Sequence, residues 1–136
     1  MMLENFFENT MNNFNLSENE LNQLSPLVLA YIGDSIYEVF IRTFLISDST
    51  GSVNKLHKRS IEFVKAKAQS EKIHRIMEFL TEDELDIVRR GRNAKSGTIP
   101  KNADVTEYKY ATGFESLIGY LYLRKNFDRL MQILKM

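Results

Sequence analysis

Residues 27–46 of this chain read LVLAYIGDSIYEVFIRTFLI, twenty residues that are apolar almost throughout. Ser25 and Pro26 precede them, a capping hydroxyl and a proline suited to a first helical position, so a helix begins here. Twenty such residues are enough to cross a bilayer. Asp34, Glu38 and Arg42 oppose that reading, since each charge costs about 2.5–3.5 kcal/mol near a bilayer centre. Their i, i+4, i+8 spacing puts them in one polar stripe on a helix that is apolar elsewhere. The helix is therefore expected to be wrapped by protein on most sides, with the stripe facing water, a metal ion or a partner.

The rest of the chain supports a helical domain around that element. It has 136 residues, room for one domain, and only six Gly and two Pro, too little punctuation for a sheet protein. The expected fold is all-α. No cysteine is present, which excludes disulfides, thiolate metal sites and a cysteine nucleophile, and His57 and His74 are too few for a histidine-based metal site. The N-terminus is acidic and Asn-rich rather than basic and then apolar, so no export signal is read and the cytoplasm is the expected location, with no membrane association. Residues 1–23 are expected to form a tail with a short or frayed helix, and 24–136 the domain.

Helical spacing predicts a basic amphipathic helix over about 53–69 and a short one near 70–79. Thr81 begins a capping box with Glu84, and that helix is expected to stop at Gly91. Residues 89–103, RRGRNAKSGTIPKNA, read as a basic loop. Asp104 is suited to cap the next helix, and helices are expected over 110–124 and 126–135.

Charge is segregated although the chain is formally neutral. Residues 53–75 hold seven bases against two acids and 89–109 hold six against two, while 76–88 hold five acids and no base. If the fold joins the basic blocks, they make a surface for a polyanion. In the first block Lys55, Lys58, Arg59, Lys65 and Lys67 surround the helix. In the second, Arg89, Arg90, Arg92, Lys95 and Lys101 supply charge for phosphates, and Asn93, Ser96 and Thr98 supply neutral hydrogen bonds to phosphate or ribose hydroxyls. Gly91 and Gly97 would allow close backbone approach. A solvated basic loop is the plain alternative, and the small polar residues between the charges favour phosphate binding.

Two acids stand out. Asp34 follows Gly33 mid-helix between Ile32 and Ile36, where an ionised carboxylate needs a partner, a hydrogen bond or a cation. Glu115 lies between Phe114 and Ser116 in ATGFESLIGYLYL, itself apolar on its other faces. An ion pair for Asp34 and an exposed flank for Glu115 are the plain alternatives. Together they could hold Mg²⁺, which takes oxygen ligands and keeps several waters. Tyr31, Tyr37, Tyr110, Tyr120 and Tyr122 fall at helical spacings and read as core, and His57 as an exposed basic-face residue. GDS lies inside a helix and is no hydrolase nucleophile.

LAYIGDSIYEVFIR resembles the signature helix of the ribonuclease III catalytic domain, and FESLIGYLYL its second helix, which carries a glutamate. With LHKRSIEFVKAKAQ and RGRNAKSGTIPKNADVTEYKYATGFESLIGYLYL, the chain is similar to the small Mini-III class, which lacks a double-stranded-RNA-binding domain. The similarity covers about residues 24–134. It implies the helical endonuclease fold as a homodimer, with Asp34 and Glu115 as catalytic ligands of Mg²⁺. It implies cleavage of double-stranded RNA to 5′-phosphate and 3′-hydroxyl ends. The implied substrate is the stem flanking the large-subunit (23S) ribosomal RNA precursor, with a large-subunit ribosomal protein as a candidate presenter. Larger members carry a carboxylate where this chain has Ala30 and another where it has Thr112, so a sparser metal shell is expected. Glu38 could support the metal or make a dimer salt bridge. A non-catalytic RNA-binding or ribosome-assembly module with the same fold is the alternative.

Overall fold

The computed structural model describes residues 4–48, 51–95 and 98–136, and among them every regular element is a helix. In chain order these are α1 Glu4–Phe14, α2 Glu18–Gln23, α3 Pro26–Asp48, α4 Val53–Val64, α5 Ala66–Ile76, α6 Glu82–Asn93, α7 Val105–Leu123 and α8 Phe127–Lys135, with a 3₁₀ turn at Met77–Phe79. None of these helices is long and apolar enough to cross a membrane.

The expected caps are in place. The Ser25 hydroxyl accepts from Val28 N–H at 3.3 Å, and Asp104 accepts from Glu107 N–H at 3.0 Å. Thr81 and Glu84 close a reciprocal capping box. Helix α7 starts earlier than the spacing predicted because Asp104 caps it directly.

α7 is the centre of the fold. Phe114, Leu117, Ile118 and Leu121 are fully buried or nearly so, and α3, α5, α6 and α8 pack around it. The core is completed by Leu29, Tyr37, Ile41 and Leu45 of α3, Ile73 and Ile76 of α5, Ile87 and Val88 of α6, and Leu130, Ile133 and Leu134 of α8. Truncating Phe114 to Ala in such a site costs about 3–5 kcal/mol. Ser116 ties α7 to the start of α3, its hydroxyl 2.8 Å from the Pro26 carbonyl oxygen.

Four expectations are corrected. The helix predicted over 53–69 is interrupted at Lys65, whose extended backbone (ψ 154°) caps both α4 and α5, so Lys67 belongs to α5. α6 runs through Gly91 to Asn93, so Arg89, Arg90, Arg92 and Asn93 are helical rather than looped. Gly91 serves packing: a side chain there would collide with Gly113 and Ser116 of α7. Tyr31 is not core but 80% exposed. Finally, α3 is less enclosed than expected, because Leu27, Val28, Val39, Phe44 and Ile46 are exposed beside Tyr31.

The N-terminal segment forms two helices rather than one. α1 lies against the domain through Phe7 and Met11, with the Phe7 ring edge-on to Tyr122 at 5.7 Å. Arg124 reaches Glu18 and Asn22 of α2.

Candidate active site

The contact that decides the site is between the backbones of α3 and α7. A methyl group built on Gly33 would penetrate the Glu115 carbonyl and come within 2.8 Å of the Gly119 amide nitrogen. Gly119 in turn meets the Leu29 carbonyl so closely that no side chain fits. Two glycines therefore let the helices touch backbone to backbone, and the residue after Gly33 is carried alongside Glu115.

Asp34 and Glu115 meet there through their side chains. Burial and the adjacent Asp34 carboxylate, in that order, push the Glu115 carboxyl up to about 8, and the hydrogen bond from Gln69 opposes the rise. Glu115 is half-buried, whereas Asp34 remains exposed. Among the described residues no lysine or arginine pairs with either acid, so the ion-pair alternative for Asp34 fails. Without a cation beside it among the described residues, Glu115 avoids the charge by keeping its proton, and a bound divalent ion would favour the ionised form instead.

The donor set suits such an ion. No group of three or more His, Asp or Glu able to hold a metal exists among the described residues, and Ala30 and Thr112 supply no carboxylate. Two carboxylates leave most positions to water, the arrangement Mg²⁺ favours. Gln69 adds a buried carbonyl, Oε1, with no hydrogen-bond partner among the described residues. Glu38, one turn beyond Asp34, is close enough to raise Glu115 slightly, yet its own carboxylate accepts from Arg42 Nε at 2.9 Å.

Gln69 is the site residue that sequence reasoning missed. It is 2% exposed, and its Nε2 donates to Glu115 Oε2 at 3.4 Å and to the Val64 carbonyl at 2.8 Å. The available signal was its spacing, since Gln69, Ile73 and Ile76 share one inward face of α5.

The basic residues are not gathered as one loop would gather them. Lys55, Lys58, Lys67, Lys95, Thr98 and Lys101 are exposed, and Ser96 lies outside the described residues. Arg59 pairs with Asp48 at 3.1 Å, Lys65 with Glu62 at 2.8 Å, and Arg89 with Asp86. Helical geometry sends Arg90 and Arg92 to opposite sides of α6. Arg90 lines a groove with Asp83, Asp86, Tyr120 and Arg124, whereas Arg92 lies against the Tyr110 ring and donates to its hydroxyl at 3.2 Å. Asn93 is exposed and accepts from Arg92.

Comparison with known proteins agrees with this geometry. The sequence pattern of the ribonuclease III domain matches residues 27–126. The Mini-ribonuclease 3 of a Thermoanaerobacter species is 52% identical over 131 residues, covering 96% of this chain and 90% of that protein. Its counterpart in Clostridium tetani is 53% identical over 121 residues, covering 88% and 80%. A Fusobacterium nucleatum protein solved by X-ray crystallography superposes with a TM-score of 0.76 at 34% identity, covering 83% of this chain and 90% of that one. With a helical core that brings Asp34 to Glu115 and relatives of this similarity along nearly its whole length, the chain belongs to the ribonuclease III domain family, in its Mini-ribonuclease 3 group, and is an endoribonuclease of the ribonuclease III type.

Proposed function

We propose that the protein is a Mg²⁺-dependent endoribonuclease of double-stranded RNA, with Asp34 and Glu115 as its catalytic pair, acting in the cytoplasm on the stem of the large-subunit (23S) ribosomal RNA precursor. The observation that carries this reading is the meeting of two carboxylates to which no lysine or arginine among the described residues is paired. Residues 24–136 are the catalytic domain, and 1–23 an accessory segment whose helix α1 packs on it through Phe7 and Met11.

Asp34 would hold the ion from the solvent-facing side of α3, and Glu115 from the partly buried side of α7. Mg²⁺ bound there supplies activation of the attacking water and charge stabilisation at the leaving 3′ oxygen. The Gly33 contact holds together the two backbones that carry the carboxylates. Water adds to phosphorus and the bond to the 3′ oxygen breaks, which leaves 5′-phosphate and 3′-hydroxyl ends. A-form RNA is held mainly through phosphates and 2′-hydroxyls. Lys55, Lys58 and Lys67, with Arg92, Asn93, Lys95, Thr98 and Lys101, are the residues best suited to those contacts.

A homodimer completes the reading. It is supported by the exposed Leu27, Val28, Tyr31, Val39 and Phe44 of α3, and by an adjoining apolar groove of about 340 Å³ lined by Phe7, Ile36, Phe40, Phe127 and Met131. Two equal sites about a twofold axis suit the two strands of a duplex.

The test is cleavage of precursor ribosomal RNA with Mg²⁺, with the ends mapped. Asp34→Asn is expected to stop cutting and to leave salt-sensitive duplex binding intact. Cleavage by that variant at the wild-type rate would refute the catalytic assignment. Duplex binding by the wild type with no cleavage under any divalent ion would instead support a non-catalytic assembly module. Correct ends on protein-free RNA would remove the need for a ribosomal-protein presenter.

A further inference from the structure

Gln69 makes two bonds whose origins differ. α4 ends because Lys65 turns to extended backbone, and carbonyls at a helix end lose their intrahelical partners. The Ile61 carbonyl is recovered by Lys65 N–H at 2.9 Å, and the Lys65 carbonyl by Gln69 N–H at 3.1 Å. The Val64 carbonyl is taken by the Gln69 side chain at 2.8 Å. The same amide nitrogen then meets Glu115 Oε2, at 3.4 Å. Rotating the amide by half a turn would set its oxygen against the Val64 carbonyl, which can only accept, so that neighbour fixes which atom points where.

We propose that Gln69 is a positioning residue of the metal site: one buried amide orients the Glu115 carboxylate for the ion and keys it to the joint between α4 and α5. The inference rests on Asp34 and Glu115 being metal ligands. It gives the break at Lys65 a purpose, because an unbroken helix would have used the Val64 carbonyl internally. It also links the helix that bears Lys55 and Lys58 to the atom that holds the ion.

The experiment is a Mn²⁺ titration followed by electron paramagnetic resonance, on wild type, Gln69→Met and Glu115→Gln. Methionine keeps the volume and deletes both bonds. The dissociation constant of Gln69→Met is expected to rise about 10- to 100-fold, the usual effect of losing a group that orients a ligand. Saturating Mg²⁺ then restores its turnover, but not that of Glu115→Gln. Wild-type affinity in Gln69→Met with lost affinity in Glu115→Gln overturns the positioning role and leaves the ligand assignment standing. Wild-type affinity in both overturns the ligand assignment itself. If Gln69→Met fails to fold by circular dichroism, the ¹⁵N-labelled wild type decides. Its Gln69 side-chain amide resonance must shift on saturation with Mg²⁺, and an unmoved resonance overturns the proposal.

Discussion

Glu84 and Glu115 are both drawn out of water, one in the first turn of α6 and the other midway along α7, and their surroundings are opposite. Arg129 clasps Glu84 with two bonds of 2.8 Å, and the Thr81 amide adds a third at 2.9 Å. The guanidinium holds that carboxyl below the usual carboxylate range. Arg129 also donates to the Phe79 carbonyl, so the pair seals the corner between the 3₁₀ turn, α6 and α8. Glu115 has a carboxylate for its neighbour instead, and rises to about 8. One glutamate is neutralised by its own chain and serves the fold. The other has no such partner among the described residues, which is why we propose a divalent cation for it.

The contrast breaks if the two glutamates respond alike to loss of charge. Glu115→Gln is expected to lower duplex cleavage by about a thousandfold or more, since several kcal/mol of transition-state stabilisation go with the ion. Metal-free stability should not fall, because a neutral amide spares the fold the cost of keeping a buried carboxyl protonated, and a urea melt checks this. Arg129→Met should cost about 3–5 kcal/mol by leaving Glu84 buried without its partner. Whatever fraction stays folded should bind metal normally.

Gly33→Ala sharpens the comparison from the backbone side. Separating α3 from α7 is expected to cost about 1–3 kcal/mol or more, and to weaken Mn²⁺ binding although no ligand is changed. A variant with wild-type metal affinity would contradict the role given to that contact.

The pH dependences of the two glutamates have opposite signs. Glu84 binds its proton less readily folded than unfolded, so its stabilisation is present above the unfolded value of 4.5 and is lost as pH falls through the lower folded one. Glu115 keeps its proton in the fold while the unfolded chain has released it. Metal-free stability should therefore decline as pH rises from 4.5 to about 8. Melting temperatures from well below pH 4.5 up to about pH 8, with chelator and then with Mg²⁺, check both, and the ion should remove the second decline only.

Much of this contrast was legible in the sequence, and the reasons are specific. Asp34 could be found because a charge stripe on an apolar helix is costly, and Glu115 because it interrupts an equally apolar run. The Thr81–Glu84 capping box is local, so spacing alone revealed it. Arg129 lies forty-five residues from Glu84, and no periodicity links them. The same holds for Gln69 and Glu115, joined only by the packing of α5 on α7. Gly91 read as a stop because glycine weakens a helix interior, yet close approach of α6 to α7 outweighs that weak propensity. The break at Lys65 carries neither Pro nor Gly, and the carbonyls around it find partners four or five residues on, at Lys65 and Gln69, so composition had nothing to announce.

The most direct test is a calorimetric titration of Mg²⁺ into the wild type and Asp34→Asn at pH 7, in buffers of differing ionisation enthalpy. The wild type should bind the ion and release a proton from Glu115, because at that pH the free carboxyl still holds one. The variant should show neither effect. Equal binding by both proteins, or no binding by the wild type, would contradict the claim that Asp34 and Glu115 are brought together to hold a divalent cation.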